Sequence, residues 1–75
     1  MKITGTSSYI KVETDNKVVK IQGEMIVNGF VAYSDTIRNW EPPYENILID
    51  GVTKTRLIKA ITDETKDSKF KIEFD

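Results

Sequence analysis

Apolar and polar residues alternate through Tyr9–Thr14, with Ile10 and Val12 on one side and Lys11 and Glu13 on the other. A period of two marks a strand with one buried face. Asp15-Asn16 follows, and both residue types tolerate positive φ, so the pair predicts a tight hairpin into Lys17-Val18-Val19-Lys20-Ile21. A second turn is predicted at Asn28-Gly29, the pairing preferred in type I′ hairpins, between Glu24-Met25-Ile26-Val27 and Phe30-Val31-Ala32-Tyr33. With two-residue loops at both turns, Val12 faces Val19, Ile10 faces Ile21, Val27 faces Phe30 and Met25 faces Ala32, all on one face. The parity carries through from Val19 to Val27 across Gly23, where a bend or bulge would shift it.

Periodicity is lost from Tyr33 to Glu45, a stretch that holds Trp40 and the pair Pro42-Pro43 and reads as an excursion with one helical turn near Asp35 to Asn39. Ile47-Leu48-Ile49 reads as a short apolar strand. Thr53 can cap a helix through about Lys66, with Leu57, Ile58 and Ile61 as its apolar stripe. Asp50-Gly51 could instead turn a third hairpin into Val52-Thr53-Lys54, but the helical spacing of the stripe favours the helix. Phe70, Ile72 and Phe74 alternate with Lys71 and Glu73 as a final strand. The expected architecture is a single α+β domain over residues 1–75. It is a small antiparallel meander sheet of about five or six strands, with one C-terminal helix on one face and a last strand after it.

Length and composition agree with one domain. A chain of 75 residues hides only about 60% of its unfolded surface, so a single modest core is expected. With 39% hydrophobic and 31% charged residues the chain is outside the disordered class. Eleven basic against twelve acidic residues leave a net charge of -1, so no positive field invites a nucleic-acid backbone. The chain has no cysteine, which fits a reducing compartment, and a cytoplasmic location is expected. Met1-Lys2-Ile3-Thr4-Gly5 lacks the apolar run of a signal peptide, and no stretch approaches the ~20 residues needed to span a bilayer. No membrane partner is expected.

Chemistry is constrained by what is missing. Without histidine or cysteine the chain lacks the usual general base near neutral pH, the common thiol nucleophile and most tight transition-metal ligands. Glu24, Asp35, Glu41, Glu45 and Asp50 are candidate acids and bases by type, but they show no diagnostic spacing and read as solvated surface acids. The four glycines stand singly, so no phosphate-cradling loop is present, and no calcium loop follows Asp50-Gly51. No metal, no other cofactor and no enzymatic activity are expected.

Glu24 would lie opposite Tyr33 on the face away from the helix, either bracing the strands through a hydrogen bond or meeting a partner. An enzyme built on this pair would need Glu24 in a pocket. Trp40, Pro42, Pro43 and Tyr44 cluster in the excursion, where Trp40 is either a lid on the core or an interface anchor. The second sheet face would show Tyr9, Val18, Ile26, Val31 and Tyr33 among Lys11, Lys20 and Glu24. A partly apolar face of this kind is covered by a second copy, a different protein or the excursion itself. Lys11 would directly face Lys20, a mild repulsion that an acidic partner or solvent could relieve.

Gly23-Glu24, Gly29-Phe30, Ala32-Tyr33 and Trp40-Glu41-Pro42, followed by a strand and a helix with Ile58 and Ile61, resemble immunity protein family seventy-four of bacterial polymorphic toxin systems. The resemblance covers nearly the whole chain. It implies a small cytoplasmic protein that binds and neutralises a cognate toxin domain without turnover, with Glu24, Tyr33, Trp40, Glu41 and Tyr44 as candidate partner-binding residues. The alternative is a structural or regulatory interaction module, most simply a homodimer through the exposed sheet face.

Overall fold

The computed structural model describes Met1–Asp75. The elements are β1 (Lys2–Gly5), β2 (Tyr9–Thr14), β3 (Lys17–Ile26), β4 (Gly29–Ala32), a 3-10 turn (Ser34–Thr36), α1 (Gly51–Thr65) and β5 (Lys71–Phe74). One sheet holds all five strands in chain order. The α+β class, the single helix and the final strand are as expected, and β1, which the alternation did not mark, pairs Ile3 with Val12. The sheet is mixed rather than wholly antiparallel, because β5 runs parallel to β4. Parallel neighbours need a long crossover, and the excursion plus α1 supplies it.

The first hairpin forms as its residues predict. Asp15 and Asn16 take φ of 52° and 64°, and Val12 pairs with Val19 and Ile10 with Ile21. The second hairpin corrects the expected register: its loop is Val27-Asn28, Met25 lies opposite Phe30, and Gly23 lies opposite Ala32. Asn28, at φ 62°, supplies the left-handed residue. Gly29 is required elsewhere, since a Cβ there would collide with the Lys71 carbonyl of β5. The slip of two residues preserves which face each side chain takes, but it carries Met25 and Val27 beyond the core, to 52% and 89% exposure. It also places Glu24 opposite Val31, with Tyr33 two positions further along, beside Gln22.

The helix begins at Gly51, ahead of the expected Thr53. The Asp50 carboxylate accepts from the Thr53 backbone N–H at 2.8 Å, so Asp50 is the cap and Thr53 donates the bond. Leu57 and Ile61 are buried and Ile58 packs beside them. At the helix end, Thr65 Oγ1 donates to the Ile61 carbonyl at 3.0 Å and accepts from the Ile72 N–H at 3.2 Å, which fastens α1 to β5. Ile47-Leu48-Ile49 is not a sheet strand; it makes one bridge, Asn39 to Leu48, within the excursion. Only Ile49 of the three turns inward, so the segment pairs with its own loop instead of extending the sheet.

The core joins three sources. Ile10, Val12, Val19, Ile21, Phe30, Ala32 and Ile72 come from the inner sheet face, Leu57 and Ile61 from the helix, and Ile37, Trp40 and Ile49 from the excursion.

Candidate functional site

Two surfaces carry the residues singled out in the sequence. The first is the sheet face away from α1. There Glu24 of β3 lies diagonally from Tyr33, which follows β4, close enough for its carboxylate to act on the phenol. Partial burial, then a hydrogen bond to Glu24, then the negative charges of Glu24 and Asp75 push that phenol above its ordinary value. Glu24 is exposed, and neither residue lines a cavity. The pair sits on an open face and not in a pocket. Lys11 does face Lys20, and Lys20 Nζ lies 4.4 Å from the Tyr9 ring centroid, so an aromatic face partly offsets the repulsion. No helix is long and apolar enough to cross a membrane.

The second surface is the excursion. After β4, the chain runs along the part of the β3 edge that β4 leaves uncovered. The Tyr33 N–H donates to the Gln22 carbonyl at 2.7 Å, Thr36 Oγ1 accepts from the Gln22 N–H at 3.0 Å, and the Glu41 N–H donates to the Val18 carbonyl at 2.7 Å. These bonds satisfy edge groups that would otherwise invite another strand. Trp40, 8% exposed, closes the core. Of the two readings of this residue, the geometry realises the lid.

Beyond Trp40 the chain makes a closed loop. Ile49 N–H donates to the Arg38 carbonyl at 2.8 Å, Asn39 Nδ2 donates to the Glu45 carbonyl at 3.0 Å, and Ile47 N–H donates to the Tyr44 carbonyl at 2.9 Å. Lys17 Nζ sits 5.9 Å from the Trp40 ring centroid and 5.2 Å from that of Tyr44, tying the loop to the β2–β3 hairpin. A groove of about 490 Å³ runs between this loop, the hairpin and the start of α1, lined by Trp40, Ile47 and Leu48 among others. At its helix end the Thr53 backbone N–H, followed by its side chain, holds the Asp50 carboxyl below the usual range, and Arg56 adds to the effect.

The five candidate residues thus divide. Glu24 and Tyr33 meet on the sheet face, whereas Trp40, Glu41 and Tyr44 belong to the excursion. Sequence reasoning missed Leu48, which lines the groove and is 74% exposed, and Val52, which is 64% exposed near the start of α1. Both are ordinary core residue types, and only the tertiary arrangement turns them outward.

A curled mixed sheet backed by one helix, with an apolar loop standing off the core, defines a small α+β domain whose surfaces, rather than a deep cleft, are its prominent features. The family model described as Immunity protein 74 matches residues 2–75, and the chain belongs to that family. No curated protein and no solved structure matches it.

Proposed function

We propose that this protein binds a cognate toxin domain and neutralises it without turnover, as a bacterial cytoplasmic protein. The family match over residues 2–75 carries this reading. The placement of Glu24 and Tyr33 supports it from the side of chemistry. The carboxylate–phenol pair that could serve acid–base work lies on an open face rather than in a walled site. Inhibition then comes from occupying a surface of the toxin.

The test is co-expression with the toxin domain encoded beside this gene, scoring host growth and, in parallel, complex formation between the purified proteins. Growth rescue together with a stoichiometric complex is the expected outcome. Toxicity that persists despite abundant folded protein, with no complex, would reject the reading.

A further inference from the structure

The loop closed by the Asn39–Leu48 bridge is built to present side chains. Its roots, Ile37, Trp40 and Ile49, are buried in the core, and its backbone is bonded at both ends. Its outer residues are apolar and exposed: Leu48, then Ile47 at 46% and Tyr44. A rigid loop that displays apolar groups loses little conformational freedom when a partner covers them. Exposed apolar residues gathered beside a groove mark an interaction surface.

Charge indicates what covers it. Residues 39–50 contain Glu41, Glu45 and Asp50 and no lysine or arginine. Asp50 is occupied as the helix cap. The carboxylates of Glu41 and Glu45, and of Asp15 on the groove wall, have no cationic partner, since the molecule's single ion pair is Lys59–Asp63. Three nearby cations have contacts of their own that are not with Glu41 or Glu45. Lys17 lies over the Trp40 and Tyr44 rings, Arg56 acts on Asp50, and Arg38 Nε donates to the Asp35 carbonyl at 3.0 Å. The groove lining is balanced in charge, Lys17 and Arg56 against Asp15 and Asp50, so the excess negative charge is that of Glu41 and Glu45 on the loop itself.

We propose that this loop and groove are the toxin-binding surface, and that the toxin meets it with a basic patch surrounding a projecting apolar side chain. The apolar group enters the groove against Ile47 and Leu48, and lysines or arginines of the patch pair with Glu41, Glu45 and Asp15. This is the arrangement of a desolvated apolar centre with a charged rim that steers association. The inference rests on the proposed function and assigns its surface, placing the contact on the excursion and not on the outer sheet face.

The experiment measures affinity and association rate between the full-length protein and a catalytically inactivated form of the adjacent toxin domain, at low and high salt. Leu48→Glu is expected to weaken binding roughly tenfold or more, because it places a charge in the apolar centre. Glu45→Lys is expected to slow association and flatten its salt dependence. Lys20→Glu, on the outer sheet face, should bind as the unaltered protein does. Leu48 is exposed, so its variant should keep the native unfolding midpoint, and that is measured alongside.

If the unaltered protein binds but Leu48→Glu and Glu45→Lys bind equally well, the assignment of this surface is wrong while the immunity function stands. Loss of binding in Lys20→Glu alone would move the contact to the sheet face and also overturn the assignment. A concentration-dependent mass of the isolated chain that Leu48→Glu abolishes would assign the loop to a second copy instead. No binding by the unaltered protein would remove the functional reading and this inference with it.

Discussion

The substitution Gly23→Ala tests the packing of the sheet most sharply. In the interior of a strand, glycine ordinarily costs about 0.5–1 kcal/mol relative to alanine through its greater freedom in the unfolded chain. At Gly23 the sign should reverse. A Cβ there would meet the Val31 carbonyl oxygen and approach Cε1 of Phe30 to 2.6 Å and its Cζ to 2.9 Å. Phe30 is fully buried, and the carbonyl belongs to the neighbouring strand, so neither can swing aside without moving β4. Overpacking of this kind costs about 1–3 kcal/mol, and the net expectation after the entropic gain is a loss of about 1–2 kcal/mol. For a domain of this size each kcal/mol moves the thermal midpoint by roughly 4–8 °C. The assay is thermal and urea unfolding followed by Trp40 emission, with Gly51→Ala as the companion. Gly51 opens the helix with nothing within 4 Å of a built Cβ and no positive φ. There the same chemical change should stabilise by about 0.4–1 kcal/mol. A Gly23→Ala protein as stable as the parent, or more so, would refute the packing argument.

Asp50 has a depressed carboxyl pKa in the folded state, so its contribution to stability is complete above its ordinary value of 3.8 and is lost as pH falls below that through the folded value. Asp50→Asn keeps a capping oxygen but cannot titrate, so the unfolding midpoint should fall less steeply below about pH 4 than in the parent. Tyr33 has the opposite sign of charge chemistry. Its phenol is raised above 10.0, so the contribution is complete below that value and disappears as pH rises through the folded value. Glu24→Gln should bring the phenolate titration, read by ultraviolet absorbance, part of the way back, because partial burial is the larger cause and remains. Ile61→Ala should destabilise by about 2–5 kcal/mol, since this fully buried residue joins α1 to the sheet, and loss of cooperative unfolding by circular dichroism is the expected extreme.

Local periodicity identified β2, the first hairpin, the apolar stripe of α1 and β5, because each is written in adjacent residues. Asp15-Asn16 has one good use, and the fold makes it. Asn28-Gly29 has two competing uses, and the strand that decides between them is Lys71–Phe74, far along the chain. Gly29 is reserved for the close approach of β5, so the turn moves back to Val27-Asn28. The same distance effect hid the direction of β5, since alternation reveals a strand but not whether its neighbour is parallel. Ile47-Leu48-Ile49 looked like a strand because its residue types suit one. The β3 edge is instead satisfied by Tyr33, Thr36 and Glu41, which leaves that segment only its own loop to pair with. For the candidate site, the types of residue were visible, but their division between two surfaces depends wholly on the fold.

That division separates stability from recognition along a single segment. Trp40 and Ile49 hold the excursion by burial, whereas Ile47 and Leu48, between them, contribute little to the core and face outward. Substitutions at such exposed positions usually change stability by less than about 0.5 kcal/mol, whereas truncating a buried tryptophan costs about 3–5 kcal/mol. In a chain whose only large core is shared between sheet, helix and excursion, the buried positions cannot vary without weakening the fold. The outer rim of the closed loop can. Under the proposed function, partner specificity therefore changes at Tyr44, Glu45, Ile47 and Leu48 while Ile37, Trp40 and Ile49 keep the loop in place, so a new toxin surface can be met without rebuilding the domain.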